Sequence, residues 1–540
     1  MTTESAPAKS PGDTPAPAGL KKGAIGLFSV LFMAVANAAP ITAMTSNTPI
    51  AVGFGNGVGA PAGFLFATII LTLFAIGFVA MARHITTAGA FYGFISHGLG
   101  QVWGMASGAL ATFAYVVFEG SLIGAFAYFA NDALGTIVGV NVPWLVLAIG
   151  SIVLIAVLCH FHISLTAVIL SVTLTCEVLM LLALAGSVIF KGGGPDGFML
   201  NQTVLVNNAF ESLPGGAFGT AAAAGSAAIG LFFAFWSWVG FETTAVYGEE
   251  SRNPKKIVPQ ATLIAVVALG LFYTFISAMV IAGNGGKQAI ESSISSNPPD
   301  LLFKLVDANL GGVLLDIYKI LLVIGSFACA MAFHNAASRY IFALGREIPS
   351  NAIRKTVGAA HPTHGSPYIA SALQSIITLV LVLLFTFFTA VQVPDANGAP
   401  VDTPSLVPFV NIYGLLALIG TAAILLVQAI CSFAVIWYFW VRKTHKGNPI
   451  TTLICPLIGG VAMLYVVWLL WDNRAFAAGY ASNSNVMKIG PYLILAVFVA
   501  GVAWALWLRT SKPAEYAAIG RTVLEEAHER TEDAPSAPLA

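Results

Sequence analysis

The chain is predicted to fold as an all-α polytopic membrane protein of twelve transmembrane helices, organised as an inverted repeat. Three observations predict this. Of 540 residues, 57% are hydrophobic and 9% charged, with a mean hydropathy of +0.85, against roughly 25% charged in a soluble domain. Apolar runs of about 20 residues, the length that crosses a bilayer core as a helix, follow one another along most of the chain. Two of these runs are interrupted at corresponding places about 200 residues apart. The same composition excludes other classes. Lys plus Arg and Asp plus Glu each number 24, so the formal charge is zero and no basic surface for nucleic acid is expected. Continuous apolar runs, rather than short alternating strands, exclude a transmembrane barrel. The five cysteines lack CxxC spacing and read as buried, reduced thiols. No metal site or cofactor is expected. Without a P-loop, a GxSxG elbow or an HExxH pair, no enzyme chemistry is expected either.

In chain order, residues 1–20 are rich in Pro, Ala, Ser and Thr and lack an apolar signal region, so they read as a disordered, uncleaved tail. A transmembrane domain follows over residues 21–510. Its first repeat, about 24–190, holds apolar segments near 24–50, 61–82, 101–130, 143–159 and 162–190. The second, about 218–440, holds segments near 218–248, 258–283, 312–345, 367–391 and 406–440. Segments near 451–471 and 489–509 precede a cytoplasmic tail, 511–540. They are numbered spans 1 to 12. With the N-terminus inside, eighteen Lys and Arg fall in cytoplasmic loops and tails and five outside, with Lys319 left within span 8. The positive-inside rule therefore puts both termini in the cytoplasm. The expected location is the plasma membrane, as a monomer or homodimer.

The first interruption is "ANAAPIT", residues 36–42, where Pro40 removes a backbone donor and clashes with the preceding turn. The second is "FWSWVGFE", residues 235–242, where Gly240 permits unwinding. Each break opens a set of five spans; five is odd, so the second set enters the membrane with opposite polarity. Secondary transporters combine this symmetry with broken helices whose freed backbone groups bind substrate at the midplane, although Pro and Gly are also commoner in membrane helices generally. The breaks nominate Asn37, Ala38, Ala39, Ile41 and Thr42, with Phe235, Trp236, Ser237, Trp238 and Gly240, as substrate-binding residues. Glu242 lies in the second break, where an ionised carboxylate costs several kcal/mol unless paired, protonated or hydrated. It is a gate or coupling group, or a structural carboxylate satisfied by amides. Glu249 and Glu250, beside Arg252, Lys255 and Lys256, mark the exit to the cytoplasm and serve as an inner gate or as a solvated loop. In span 3, "FAYVVFEG" sets Tyr115, Phe118 and Glu119 on one face. That group suits an ammonium, or Glu119 pairs with a buried cation such as Lys319.

The stretch "GFETTAVYGEESRNPKKIVPQAT" (240–262) resembles the helix 6 to helix 7 signature of amino acid–polyamine–organocation transporters. "TTAGAFYGFISHGLGQVWGMASG" (86–108), "NAASRYIFALGREIP" (335–349) and "HGSPYIAS" (364–371) are similar to further family segments, so the likeness extends over most of the chain. It implies a five-plus-five inverted repeat with broken helices 1 and 6 and two additional C-terminal helices. It also implies secondary active transport of an amino acid or related amine by alternating access. By the same resemblance, Trp236 matches an aromatic that closes over substrate, and Phe333 lies beside the site. The chain departs from the family in span 1, where many members carry Gly-Ser-Gly but no glycine occurs between Gly26 and Gly53. The Pro40-Ile41-Thr42 portion is more similar to the branch of putrescine and other amine importers. A coupling proton or sodium ion and the lipid bilayer complete the expected partners; a channel or a non-transporting sensor is the alternative. Glu119, Glu177 and Glu242 face one clear intramembrane cation, Lys319, which predicts an amino-bearing substrate, a zwitterionic amino acid before a small amine.

Overall fold

A computed structural model describes residues 26–85, 91–160, 166–246, 251–348, 350–361, 366–394, 400–473 and 485–519. Among them, nine helices are long and apolar enough to cross a membrane: Gly57–Ala82, Gln101–Val138, Val172–Phe190, Pro254–Asn284, Gly312–Arg346, Tyr368–Phe388, Pro404–Val441, Ile450–Asp472 and Lys488–Ser511. They correspond to spans 2, 3, 5 and 7 to 12. The other three expected segments form shorter helices. Span 4 is Trp144–His160, of 17 residues, and spans 1 and 6 are broken. The described chain is thus an all-α polytopic membrane protein, with a single small hairpin, Gln392–Pro394 against Pro400–Asp402, as its only sheet among the described residues.

Span 1 consists of Leu27–Ala38 and Pro40–Ile50, joined at Ala39 with φ 39° and ψ 76°. Pro40 dictates both sides of this joint. It offers no N–H to continue the first half and clashes with the turn before it, yet its fixed φ suits the first turn of a new helix. Ala39 takes up the left-handed conformation in between, at a cost glycine would not incur. Span 6 begins as Ala227–Trp236, passes through turns over residues 237–242 and resumes at Thr243–Val246. Its expected start at 218 is corrected to Ala227. The alanine-rich residues before it have helical propensity, but their backbone is bonded elsewhere: the N–H of Ser226 donates to Phe54 O at 2.9 Å and that of Gly225 to Leu213 O at 2.8 Å. A Cβ on Gly225 would come within 2.7 Å of Gly55 O, so the strand of chain is pressed flat against the end of span 1.

Span 3 is the central post. It packs most extensively along span 8 and also against spans 4, 9, 10 and 12. Span 2 packs on spans 7 and 11, while the first half of span 1 lies among spans 5, 7 and 8. Large apolar side chains such as Phe387, Phe388, Trp468 and Leu493 are exposed on the outer helices, whereas Thr45, Ser46, Asn47 and Thr48 are buried. Lipid on the outside accounts for the first group; the second group marks a polar interior where the two breaks meet.

Candidate substrate site at the broken helices

Breaking a helix strands its last carbonyls and the first N–H groups of the next half. In span 1 two of those carbonyls are met from other spans. The Tyr273 hydroxyl of span 7 donates to Ala38 O at 3.0 Å, and the Cys329 thiol of span 8 donates to Asn37 O at 3.0 Å. The two breaks are also tied to each other. Asn37 Nδ2 donates to Thr243 Oγ1 at 2.8 Å, and that hydroxyl donates to Gly240 O at 2.5 Å. Gly240 has φ 113°, and a Cβ there would lie 2.5 Å from Asn37 Cβ. Conformation and contact both require glycine at this position.

Between the breaks is a cavity of about 20 Å³, room for one water and not for an amino acid. Asn37, Ala38, Ala39 and Thr42 form its span 1 wall, Trp236 and Ser237 its span 6 wall, and Phe333 faces them from span 8. Trp236 closes one side. Its ring stacks on Phe118 with centroids 4.4 Å apart, and its Nε1 donates to the Tyr413 hydroxyl at 2.9 Å. Tyr413 in turn donates to Asn47 Oδ1, and Asn47 Nδ2 donates to Ser237 Oγ at 2.7 Å. This latch joins spans 6, 10 and 1 in a single circuit. Two buried polar atoms of cavity-lining residues, Asn37 Oδ1 and Thr42 Oγ1, have no hydrogen-bond partner. Each such orphan costs roughly 1–3 kcal/mol, so both are sites where a polar ligand atom would be gained at full value.

The structure brings together part of the expected site. Asn37, Ala38, Ala39, Thr42, Trp236, Ser237 and Phe333 line the cavity. Ile41 is buried but does not line it. Phe235 turns toward span 2, edge-on to Phe66 at 6.4 Å. Trp238 also faces away: its Nε1 donates to Val266 O at 3.2 Å and its ring meets Tyr273 edge-on at 5.2 Å. Tyr115 donates to Glu242 Oε1 at 2.8 Å, and the Gly240 N–H donates to Glu242 Oε2 at 3.1 Å. Glu242 is therefore satisfied by a phenol from span 3 and a backbone amide of its own break. Glu119 is taken up between spans 8 and 9, with Oε1 2.9 Å from His334 Nδ1 and Oε2 accepting from Gln374 at 2.5 Å. Lys319 pairs instead with Asp132 at 2.8 Å. Glu249 and Glu250 lie outside the described residues. Sequence reasoning did not pick out Tyr413, Asn47, Leu122 or Cys329, all of which line the cavity. One signal was present: the unbroken polar run Thr45-Ser46-Asn47-Thr48 inside an apolar span.

Fold and site together define a multi-pass membrane protein in which two broken helices enclose a buried cavity, the arrangement that secondary transporters use. The chain belongs to the amino acid permease family, whose family model matches residues 25–500; this sets it among permeases rather than enzymes. It is 24% identical over 250 residues to a branched-chain amino acid permease of Bacillus subtilis (strain 168), a match covering 45% of this chain and 44% of that protein. It is likewise 24% identical over 165 residues to a serine/threonine exchanger of the same organism, covering 30% of this chain and 34% of the exchanger. The matched regions thus span less than half of either relative.

Proposed function

We propose that the chain is a secondary transporter of a neutral amino acid, working by alternating access about the cavity at its two breaks, with the five-plus-five inverted repeat as its frame. The observation that carries this reading is the pair of unpartnered buried atoms, Asn37 Oδ1 and Thr42 Oγ1, on the wall of a cavity latched shut by Trp236. A carbonyl oxygen accepts from an ammonium and a hydroxyl donates to a carboxylate, so the two suit the ends of a zwitterion. The rest of the wall supports a neutral side chain, because Ala38, Ala39, Leu122, Val239 and Phe333 offer no charge. Both relatives are described as amino acid carriers, which favours an amino acid over an amine. Lys and Arg placement favours cytoplasmic termini in the plasma membrane. Uptake into proteoliposomes of labelled leucine, threonine and putrescine tests the reading. Saturable uptake of leucine or threonine is expected. Uptake of putrescine alone would make it an amine importer; binding without flux, a sensor; and ion conductance, a channel.

A further inference from the structure

We propose that the buried pair of Glu119 on span 3 and His334 on span 8 is a positioning device for the cover of the cavity, holding Phe118 and Phe333 as the seat on which Trp236 closes; the proposal rests on the reading of that cavity as a substrate site. The seat is made of two rings from two spans. Phe118 and Phe333 meet edge-on with centroids 5.5 Å apart, and the Trp236 indole lies 4.4 Å from the first and 5.9 Å from the second. Both phenyls are buried. Each is followed directly in the sequence by one member of the polar pair, so on both helices the ring and its polar neighbour turn together. Neither Glu119 nor His334 is among the described residues that line the cavity; what they do for a ligand they do through those rings.

Apolar packing between spans 3 and 8 is non-directional and does not by itself single out one register. The polar group does. Glu119 Oε1 lies 2.9 Å from His334 Nδ1, while His334 Nε2 lies 2.7 Å from Ser371 Oγ on span 9. One ring nitrogen serves each neighbour, so the imidazole cannot turn or slide without losing both. The second carboxylate oxygen accepts from Gln374 at 2.5 Å, and the same amide nitrogen lies 3.2 Å from Thr378 Oγ1. All five side chains are buried, where a polar group that loses its partner has no water to replace it. A shift of span 3 along span 8 therefore breaks several bonds together, and the seat keeps one shape while Trp236 opens and closes over it.

The test uses the full chain in proteoliposomes, with labelled leucine and threonine as probes and half-saturation as the readout, in protein whose thermal stability has been measured. In His334→Asn the amide nitrogen takes the place of Nδ1 and keeps the bond to Glu119, so half-saturation should stay within about twofold of wild type. His334→Leu keeps bulk and loses the bond; the Trp236 stack is then misaligned, for a rise of about fivefold. In a Trp236→Ala background the same change should add nothing, because the seat has no indole left to hold. A merely structural pair would lower the Tm in both backgrounds and leave half-saturation alone. An equal rise with and without Trp236 overturns the proposal, as does wild-type half-saturation in folded His334→Leu or a rise in His334→Asn as large as in His334→Leu. If His334→Leu does not fold, His334→Gln takes its place, since its amide nitrogen lies at the Nε2 end, away from Glu119; half-saturation in it equal to that of His334→Asn overturns the proposal. Wild-type protein that takes up neither probe sinks the substrate-site reading itself, and this inference with it.

Discussion

Replacing Trp236 by phenylalanine keeps a ring against Phe118 but removes the 2.9 Å hydrogen bond to Tyr413. A buried hydrogen bond of this kind contributes about 1 kcal/mol net, so the closed cavity should be weakened about fivefold relative to the open one. Replacement by alanine also removes the 4.4 Å stack, worth about another 1 kcal/mol, for a total near 30-fold. Tyr413→Phe is expected to match or exceed Trp236→Phe, because it strands both the indole N–H and Asn47 Oδ1. The two single changes share one bond, so the double variant should cost less than their sum. The assay is the half-saturation concentration for labelled leucine or threonine, whichever the wild type carries, in protein whose thermal stability has been checked. Half-saturation should rise in the order wild type, Trp236→Phe, Trp236→Ala. An unchanged value in folded Trp236→Ala, or strict additivity of Trp236→Phe and Tyr413→Phe, would refute the latch.

Further outcomes follow from other parts of the molecule. Ala39→Gly should stabilise the protein by about 1 kcal/mol, because the residue sits at φ 39°, where alanine is strained; a Tm that stays level or falls would contradict the strained joint. Glu119→Ala should destabilise by about 3 kcal/mol by leaving His334 and Gln374 without their buried partner. In Glu119→Gln any loss of affinity should be equal for neutral and cationic ligands, and a selective loss for the cationic one would return Glu119 to the substrate site. At the membrane-exit end of span 2, burial first and then His445, Lys255 and Arg83 hold the His84 imidazole below its usual 6.5. The unfolded chain then binds the proton more readily, so this contribution to stability is whole above pH 6.5 and is lost as pH falls from there toward the folded value. Thermal melts should show a smaller acid loss in His84→Gln than in the wild type; identical acid profiles would rule the effect out.

Helices, breaks and the identity of the glycine at 240 were legible in the sequence because each depends on short-range chemistry: an apolar run, a missing N–H, a positive φ. Helix spacing also correctly grouped Tyr115 with Glu119, yet the two serve different neighbours. Tyr115 reaches Glu242 of span 6 while Glu119 reaches His334 and Gln374 of spans 8 and 9, and periodicity gives a face without saying what the face meets. Phe235 and Trp236 illustrate the same limit, being adjacent in sequence but turned to span 2 and to the cavity respectively. The start of span 6 was misplaced because alanine propensity competes there with backbone bonds to span 1 and Leu213. Tyr413 was missed because its role comes from Asn47, 366 positions away, and no local pattern encodes such a pairing.

The thiol of Cys329 satisfies a carbonyl that exists as a free acceptor only because span 1 is broken. It is 2% exposed, so alkylating reagents meet a closed door while the halves of span 1 stay in register with span 8. Any excursion that draws the Asn37 carbonyl away would leave the sulfur bare at the wall of the cavity. If the chain works by the proposed alternating access, the rate at which Cys329 takes up a small maleimide, compared with and without substrate, would count how often the first span lets go.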